Sequence, residues 1–213
     1  MHSPLNFTLD EFQERIKKTR QKMIERRLDT LIISDPSNMN WLTGYDGWSF
    51  YVHQAVILTL EGEPIWWGRG MDSNGAKRTA FMQTQNIFGY EDTYVQNPEK
   101  HPMSDLASII KELKLNKGRI GVEMDNYWFS ASAFLTLRKE LNVEFIDATG
   151  LVNWQRAIKS KTEIIYMKRA AKIVQHMHEV IVEKAQVGLP KNELIADVYH
   201  ASVIGVDGFW GDY

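Results

Sequence analysis

The run Thr30-Leu31-Ile32-Ile33 is apolar and too short for a helix, which marks it as a buried strand. Asp35-Pro36 ends it, because the residue before proline is held extended and proline suits the first turn of a new helix. A buried strand needs cover, and the flanking segments have the patterns to supply it. Thr8-Leu9-Asp10-Glu11 has the form of a capping box, followed by Leu9, Phe12, Ile16 and Met23 at helical spacing, so residues 9–28 are expected to form an amphipathic helix. Ala55 to Leu60 and Ile65-Trp66-Trp67, separated by Glu61-Gly62-Glu63-Pro64, form a hairpin pattern.

Residues 71–83 carry a helical pattern weakened by Gly75, and residues 86–101 suggest a strand fragment followed by a surface loop. Ser104 is the expected cap of a helix bearing Leu106, Ile109, Ile110 and Leu113 on one face, with Gly118 beyond its end. Strand 119–123, helix 130–141 and strand 143–147 follow. The alternation implies a mixed-sheet α/β domain with helices covering the sheet, over residues 1–157.

A second domain is expected over residues 158–213. Ser160-Lys161-Thr162-Glu163 is another capping box, and Ile164, Met167, Ala171, Val174, His178, Ile181 and Ala185 form one stripe of a long helix that Gly188 and Pro190 stop. At ~1.5 Å per residue it is about 39 Å long. A helix over 191–203 and the start of a strand over 208–213 complete what looks like the opening of a larger α+β domain.

Composition excludes several classes of function. A net charge of −2 gives no field favouring nucleic acid or an anionic membrane. The cluster Lys17, Lys18, Arg20, Lys22, Arg26 and Arg27 is interspersed with Asp10, Glu11, Glu14 and Glu25, as on a solvated helix face. The absence of cysteine removes disulfides, thiol nucleophiles and thiolate metal sites, and fits a reducing, cytoplasmic setting. No apolar run approaches a membrane span.

The chemistry-bearing stretch lies between Gly44 and Gln54. Tyr45, Trp48, Phe50, Tyr51 and His53 are interleaved there with Asp46, Gly47 and Ser49. Such a stretch either packs its rings into the domain's own core or presents them to a small ligand or a partner subunit. Elsewhere the signals are weaker. His176 and His178 stand two apart on a helix and point to nearly opposite sides, so they cannot share a metal ion. His101 and His200 have no acidic neighbour at ligand spacing, and Asp125-Asn126 is ordinary turn chemistry. No complete catalytic site, metal site or cofactor loop is present in the pattern.

Leu28-Asp29-Thr30-Leu31-Ile32-Ile33, Asp35-Pro36-Ser37-Asn38 and Trp41-Leu42-Thr43-Gly44-Tyr45 together resemble the amino-terminal domain of the creatinase, prolidase and aminopeptidase P family. Arg119-Ile120-Gly121-Val122-Glu123 is similar to a later strand of that domain. Arg156 to Ile164, with Met167-Lys168-Arg169-Ala170, resembles the start of the family's "pita-bread" catalytic domain. Gly44 to Gln54, Gly68 to Thr79 and Gly121 to Tyr127 are most similar to its ectoine hydrolase branch.

The resemblance implies a homodimeric hydrolase acting on a small zwitterion with a cyclic amidine, giving N-acetyl-2,4-diaminobutyrate. A metal-dependent Xaa-Pro peptidase and a non-catalytic binding module of the same fold are the alternatives. It also implies that the catalytic histidine, the glutamates and any metal ligands lie downstream of Tyr213, so no catalytic residue and no cofactor is assigned within this chain. Trp48, Phe50 and Tyr51 are the expected stacking partners of an amidinium. His53 is the expected partner of a carboxylate, as a cation or as a neutral donor.

Overall fold

The computed structural model describes residues 5–211, and the chain divides into two compact units between Ala157 and Ile158. The first begins with helix α1 (Leu9–Glu25), whose Thr8 cap accepts a hydrogen bond from the Glu11 N–H. Strand β1 (Thr30–Ile33) and helix α2 (Pro36–Thr43) follow, the latter capped by the Asp35 carboxylate and closed by Gly44 in the left-handed conformation. The hairpin consists of β2 (Ala55–Thr59) and β3 (Ile65–Arg69). Helix α3 (Ser73–Thr79), β4 (Ile87–Tyr90), α4 (Pro102–Glu112), β5 (Arg119–Val122), α5 (Ala131–Glu140), β6 (Glu144–Asp147) and the short α6 (Asn153–Arg156) complete the unit.

The six strands make one mixed sheet in the order β4-β3-β2-β1-β5-β6. β1 is antiparallel to β2 and parallel to β5, with Leu31 opposite Leu58 on one side and opposite Gly121 on the other. Successive side chains of a strand point to opposite faces. Leu31, Ile33, Val56, Leu58 and Trp66 therefore enter one core with α1 and α2, while Ile32, Ile57 and Trp67 enter a second core with α4 and α5. The unbroken apolar runs of β1 and β2 follow from this double burial.

Three details differ from the sequence reading. Arg20 does not belong to a solvated face: its guanidinium donates to the carbonyls of Thr59 and Gly62 and fastens α1 to the hairpin. Helix α4 starts at Pro102 rather than behind Ser104, because His101 is held extended before proline and its Nδ1 caps the Met103 N–H at 3.1 Å. Gly118 does not end that helix but opens β5 at φ +69°. There an added Cβ would collide with the Asp29 carboxylate, which accepts from the Arg119 N–H at 2.8 Å.

The second unit contains α7 (Lys161–Lys184) and α8 (Lys191–Ile204), which pack together. α7 starts at a capping box in which the Ser160 hydroxyl and the Glu163 carboxylate each satisfy the other residue's N–H. Where a strand was expected over residues 208–213, Phe209 closes a tight bridge back to Val206, and residues 212 and 213 lie outside the described residues. The Arg169 guanidinium lies 4.0 Å over the Phe209 ring, and Lys172 pairs with Asp207 at 2.8 Å. Among the described residues, no helix is long and apolar enough to cross a membrane.

Candidate functional site

The stretch after α2 is a loop tied at its base. Tyr45 is buried against Trp66, with ring centroids 5.3 Å apart, and its hydroxyl donates to Gln54 Oε1 at 3.1 Å. Burial pushes the Tyr45 phenol above its ordinary range, with the nearby Asp72 carboxylate adding to the shift. Gln54 Nε2 donates in turn to Asp72 at 2.8 Å. Gly47 lies over the Tyr45 ring, where a Cβ would come within 2.7 Å of the phenol oxygen, so only glycine permits this approach. The Asp46 N–H donates to Thr79 Oγ1 and the Val52 N–H to Ser49 Oγ.

Between those ties the apex faces outward. Trp48, Phe50 and Tyr51 are 64%, 86% and 55% exposed, whereas Tyr45 and Val52 are buried. Packing into the domain's own core thus accounts for Tyr45 and not for the other three rings. Tyr51 is steadied from the sheet, since Arg69 Nη1 donates to its hydroxyl at 3.3 Å. Arg69 is itself oriented by a two-pronged bond to Asp92 at 2.7 and 2.9 Å, and that guanidinium holds the Asp92 carboxyl below its usual range.

His53 points inward. Its Nδ1 lies 3.2 Å from the Trp128 carbonyl, to which it can only donate, and its own carbonyl accepts from Tyr90 Oη at 3.0 Å. Burial pushes the ring's pKa down, which favours the neutral form over the cation. Its ring lies 5.0 Å from that of His101. Burial and the proximity of His53 hold His101 down at about 4. His101 Nδ1 accepts from Met103, so its proton resides on Nε2 and the pair does not offer two free lone pairs to a metal ion.

The Trp128 carbonyl is held by a rigid turn. Asn126 Oδ1 accepts the Trp128 N–H at 2.8 Å, while Asn126 Nδ2 donates to Ser34 Oγ and to the Glu123 carbonyl, both at 2.9 Å. Beneath that turn lies Glu123, a carboxylate that is 4% exposed. Its Oε2 accepts the Ser34 and Asp35 N–H groups at 2.7 and 2.9 Å, and its Oε1 accepts Asn38 Nδ2 at 2.5 Å. Asn38 continues the chain by accepting Arg156 Nη1 at 2.7 Å. Burial nevertheless raises the Glu123 pKa, with the three donors opposing the shift. Both oxygens are engaged by protein donors and the side chain is closed to solvent, so this carboxylate organises the ends of β1 and β5 and the start of α2 rather than facing a ligand.

The structure therefore groups Trp48, Phe50, Tyr51 and His53 on one loop and adds to them Arg69, Asp92, Tyr90, His101 and Trp128. Sequence reasoning assigns none of these five to the loop, and weighs His101 only as a metal ligand. His101-Pro102 was the one local signal, as a possible helix cap. Asp125 sits in an exposed turn with its N–H on Thr149 Oγ1. In the second unit His176 approaches Glu179, and His178 borders an open groove with Ala171, Val174 and Val182. Among the described residues, no three His, Asp or Glu side chains gather where they could hold a metal ion.

Residues 15–158 match the family of the creatinase/prolidase N-terminal domain. The chain is 52% identical to an ectoine hydrolase of Halomonas elongata over 98% of its own length and 54% of that protein's. It is 37% identical to an uncharacterized hydrolase/peptidase of Sinorhizobium fredii over 97% of its length and 53% of that protein's. The fold matches that of an Xaa-Pro dipeptidase from Bacillus anthracis with a TM-score of 0.68 at 19% identity, covering 89% of this chain and 48% of the dipeptidase. The chain spans about half the length of the curated relatives it matches.

Proposed function

Because the chain belongs to the creatinase/prolidase family, we propose that it is the amino-terminal part of a hydrolase that opens the cyclic amidine ectoine. The observation that carries this reading is the outward-facing set Trp48, Phe50 and Tyr51 on a loop whose base is tied down. The identity to an ectoine hydrolase over nearly the whole chain points to the same ligand. The resemblance to solved prolidases, at under a quarter identity, extends to the fold and does not select a peptide substrate.

An amidinium is flat and cationic, and its charge is delocalised over two nitrogens. Ring faces are negative, so each stacked ring contributes ~0.5–2 kcal/mol to binding it. Arg69 keeps the Tyr51 ring from swinging away. In the hydrolysis, water adds to the amidine carbon and one of its two C–N bonds breaks. An acetyl group stays on one nitrogen, and the other leaves as an amine. The water needs a base and the leaving nitrogen an acid. We assign those groups to the half of the relatives that this chain does not span, and the aromatic loop to substrate binding in a homodimer.

The test follows the ectoine methyl signal by proton NMR in the intact enzyme, wild type and Trp48→Leu. Conversion to an N-acetyl product, with a raised KM in the variant, is expected. Cleavage of Xaa-Pro dipeptides with ectoine left intact would overturn the proposal.

A further inference from the structure

We propose that His101 is a positioning residue for the aromatic loop, acting through the ring of His53. The inference rests on the reading of that loop as ligand-facing. His53 is where the exposed apex returns to the sheet, between buried Val52 and Gln54, which closes the loop base on Tyr45. The direction of the His53 backbone therefore governs how Phe50 and Tyr51 leave the surface.

Three contacts set that direction. The His53 carbonyl is held by Tyr90 Oη, and the ring is held at one atom by the Trp128 carbonyl. A single hydrogen bond from Nδ1 leaves the ring free to pivot about it. The third contact removes that freedom: the His101 ring packs against it with centroids 5.0 Å apart and planes 39° from each other.

His101 is a firm support. Its Nδ1 caps α4 through the Met103 N–H, and Pro102 fixes the turn behind it. Serine, threonine, aspartate and asparagine are the preferred residues for capping alone. Histidine adds a ring, and the ring is what reaches His53. The bond from the Met103 N–H requires a neutral His101, protonated on Nε2, the bond to the Trp128 carbonyl places a proton on His53 Nδ1, and burial disfavours charging either ring. Two neutral rings can pack where two cations would repel.

Two substitutions separate the cap from the ring. His101→Asn keeps a capping oxygen and removes the ring, whereas His101→Phe keeps a ring and removes the cap. The intact protein is labelled with 5-fluorotryptophan, and the Trp48 resonance is identified by its loss in Trp48→Leu. His101→Asn is expected to hold the melting midpoint near wild type while shifting or broadening the Trp48 resonance, and to raise KM for ectoine several-fold with little change in kcat. His101→Phe is expected to lower the midpoint and keep both the resonance and KM. A Trp48 resonance that follows the midpoint, or that neither variant moves, overturns the inference. A resonance moved by His101→Asn, with KM unchanged in both that variant and Trp48→Leu, supports the role of His101 and overturns the ligand-facing reading instead.

Discussion

Replacing Glu123 by alanine is expected to destabilise the first unit by about 3–5 kcal/mol. The carboxylate receives three donors in a site closed to solvent: the Ser34 and Asp35 N–H groups and Asn38 Nδ2. A buried donor left without its partner costs about 1–3 kcal/mol. Three of them give roughly 3–9 kcal/mol, and the relief of the carboxylate's own burial brings the figure toward the lower end. The Asn38 link to Arg156 is loosened in the same step, so the loss is not confined to one contact.

Urea unfolding followed by tryptophan fluorescence reads the change, since Trp41, Trp66 and Trp67 are buried in this unit. Glu123→Gln adds a check on the charge. The folded-state pKa of Glu123 is raised above its unfolded value. Its contribution to stability is then fully present below about pH 4.3 and is lost as the pH rises through the folded value. The cost of Glu123→Gln should therefore be larger near pH 4 than at pH 7. A loss under about 1 kcal/mol for the alanine variant, or a glutamine cost that grows with pH, would refute the reasoning.

Trp48→Leu in the intact enzyme should weaken ectoine binding by roughly ten- to thirty-fold, read by calorimetric titration. Its urea midpoint should stay put, because the ring is exposed, and a large fall in stability with unchanged affinity would make the loop structural. Gly118→Ala should cost about 2–3 kcal/mol, since the residue sits at φ +69° and its Cβ displaces the Asp29 carboxylate from the Arg119 N–H. An unchanged unfolding midpoint would remove that argument. Residues 1–213 alone should turn over neither ectoine nor an Xaa-Pro dipeptide, and turnover that survives controls for contaminating enzyme would reveal a site within the chain.

The local elements were legible because their causes are local. The apolar run of β1, the Asp35-Pro36 break and the Ser160–Glu163 box each depend on residues within four positions of one another. The first turn of α4 was misplaced, because Ser104 is the commoner kind of cap and the loop was expected to run through His101. The aromatic stretch announced itself by composition, but its sequence left open whether the rings turned inward or outward. Only the tertiary structure decided that: Tyr45 goes in and Trp48, Phe50 and Tyr51 go out. Strand order is set by which edges pair across long separations, and nothing near residue 30 signals that β1 lies parallel to β5 some ninety positions on. The same crossing brings Glu123 under Ser34, Asp35 and Asn38, and packing between distant elements sets His53 between Trp128 and His101. Hydrogen bonds and ring contacts of that kind depend on distances of a few ångströms between segments far apart in the chain, and periodicity, caps and turn chemistry carry no record of them.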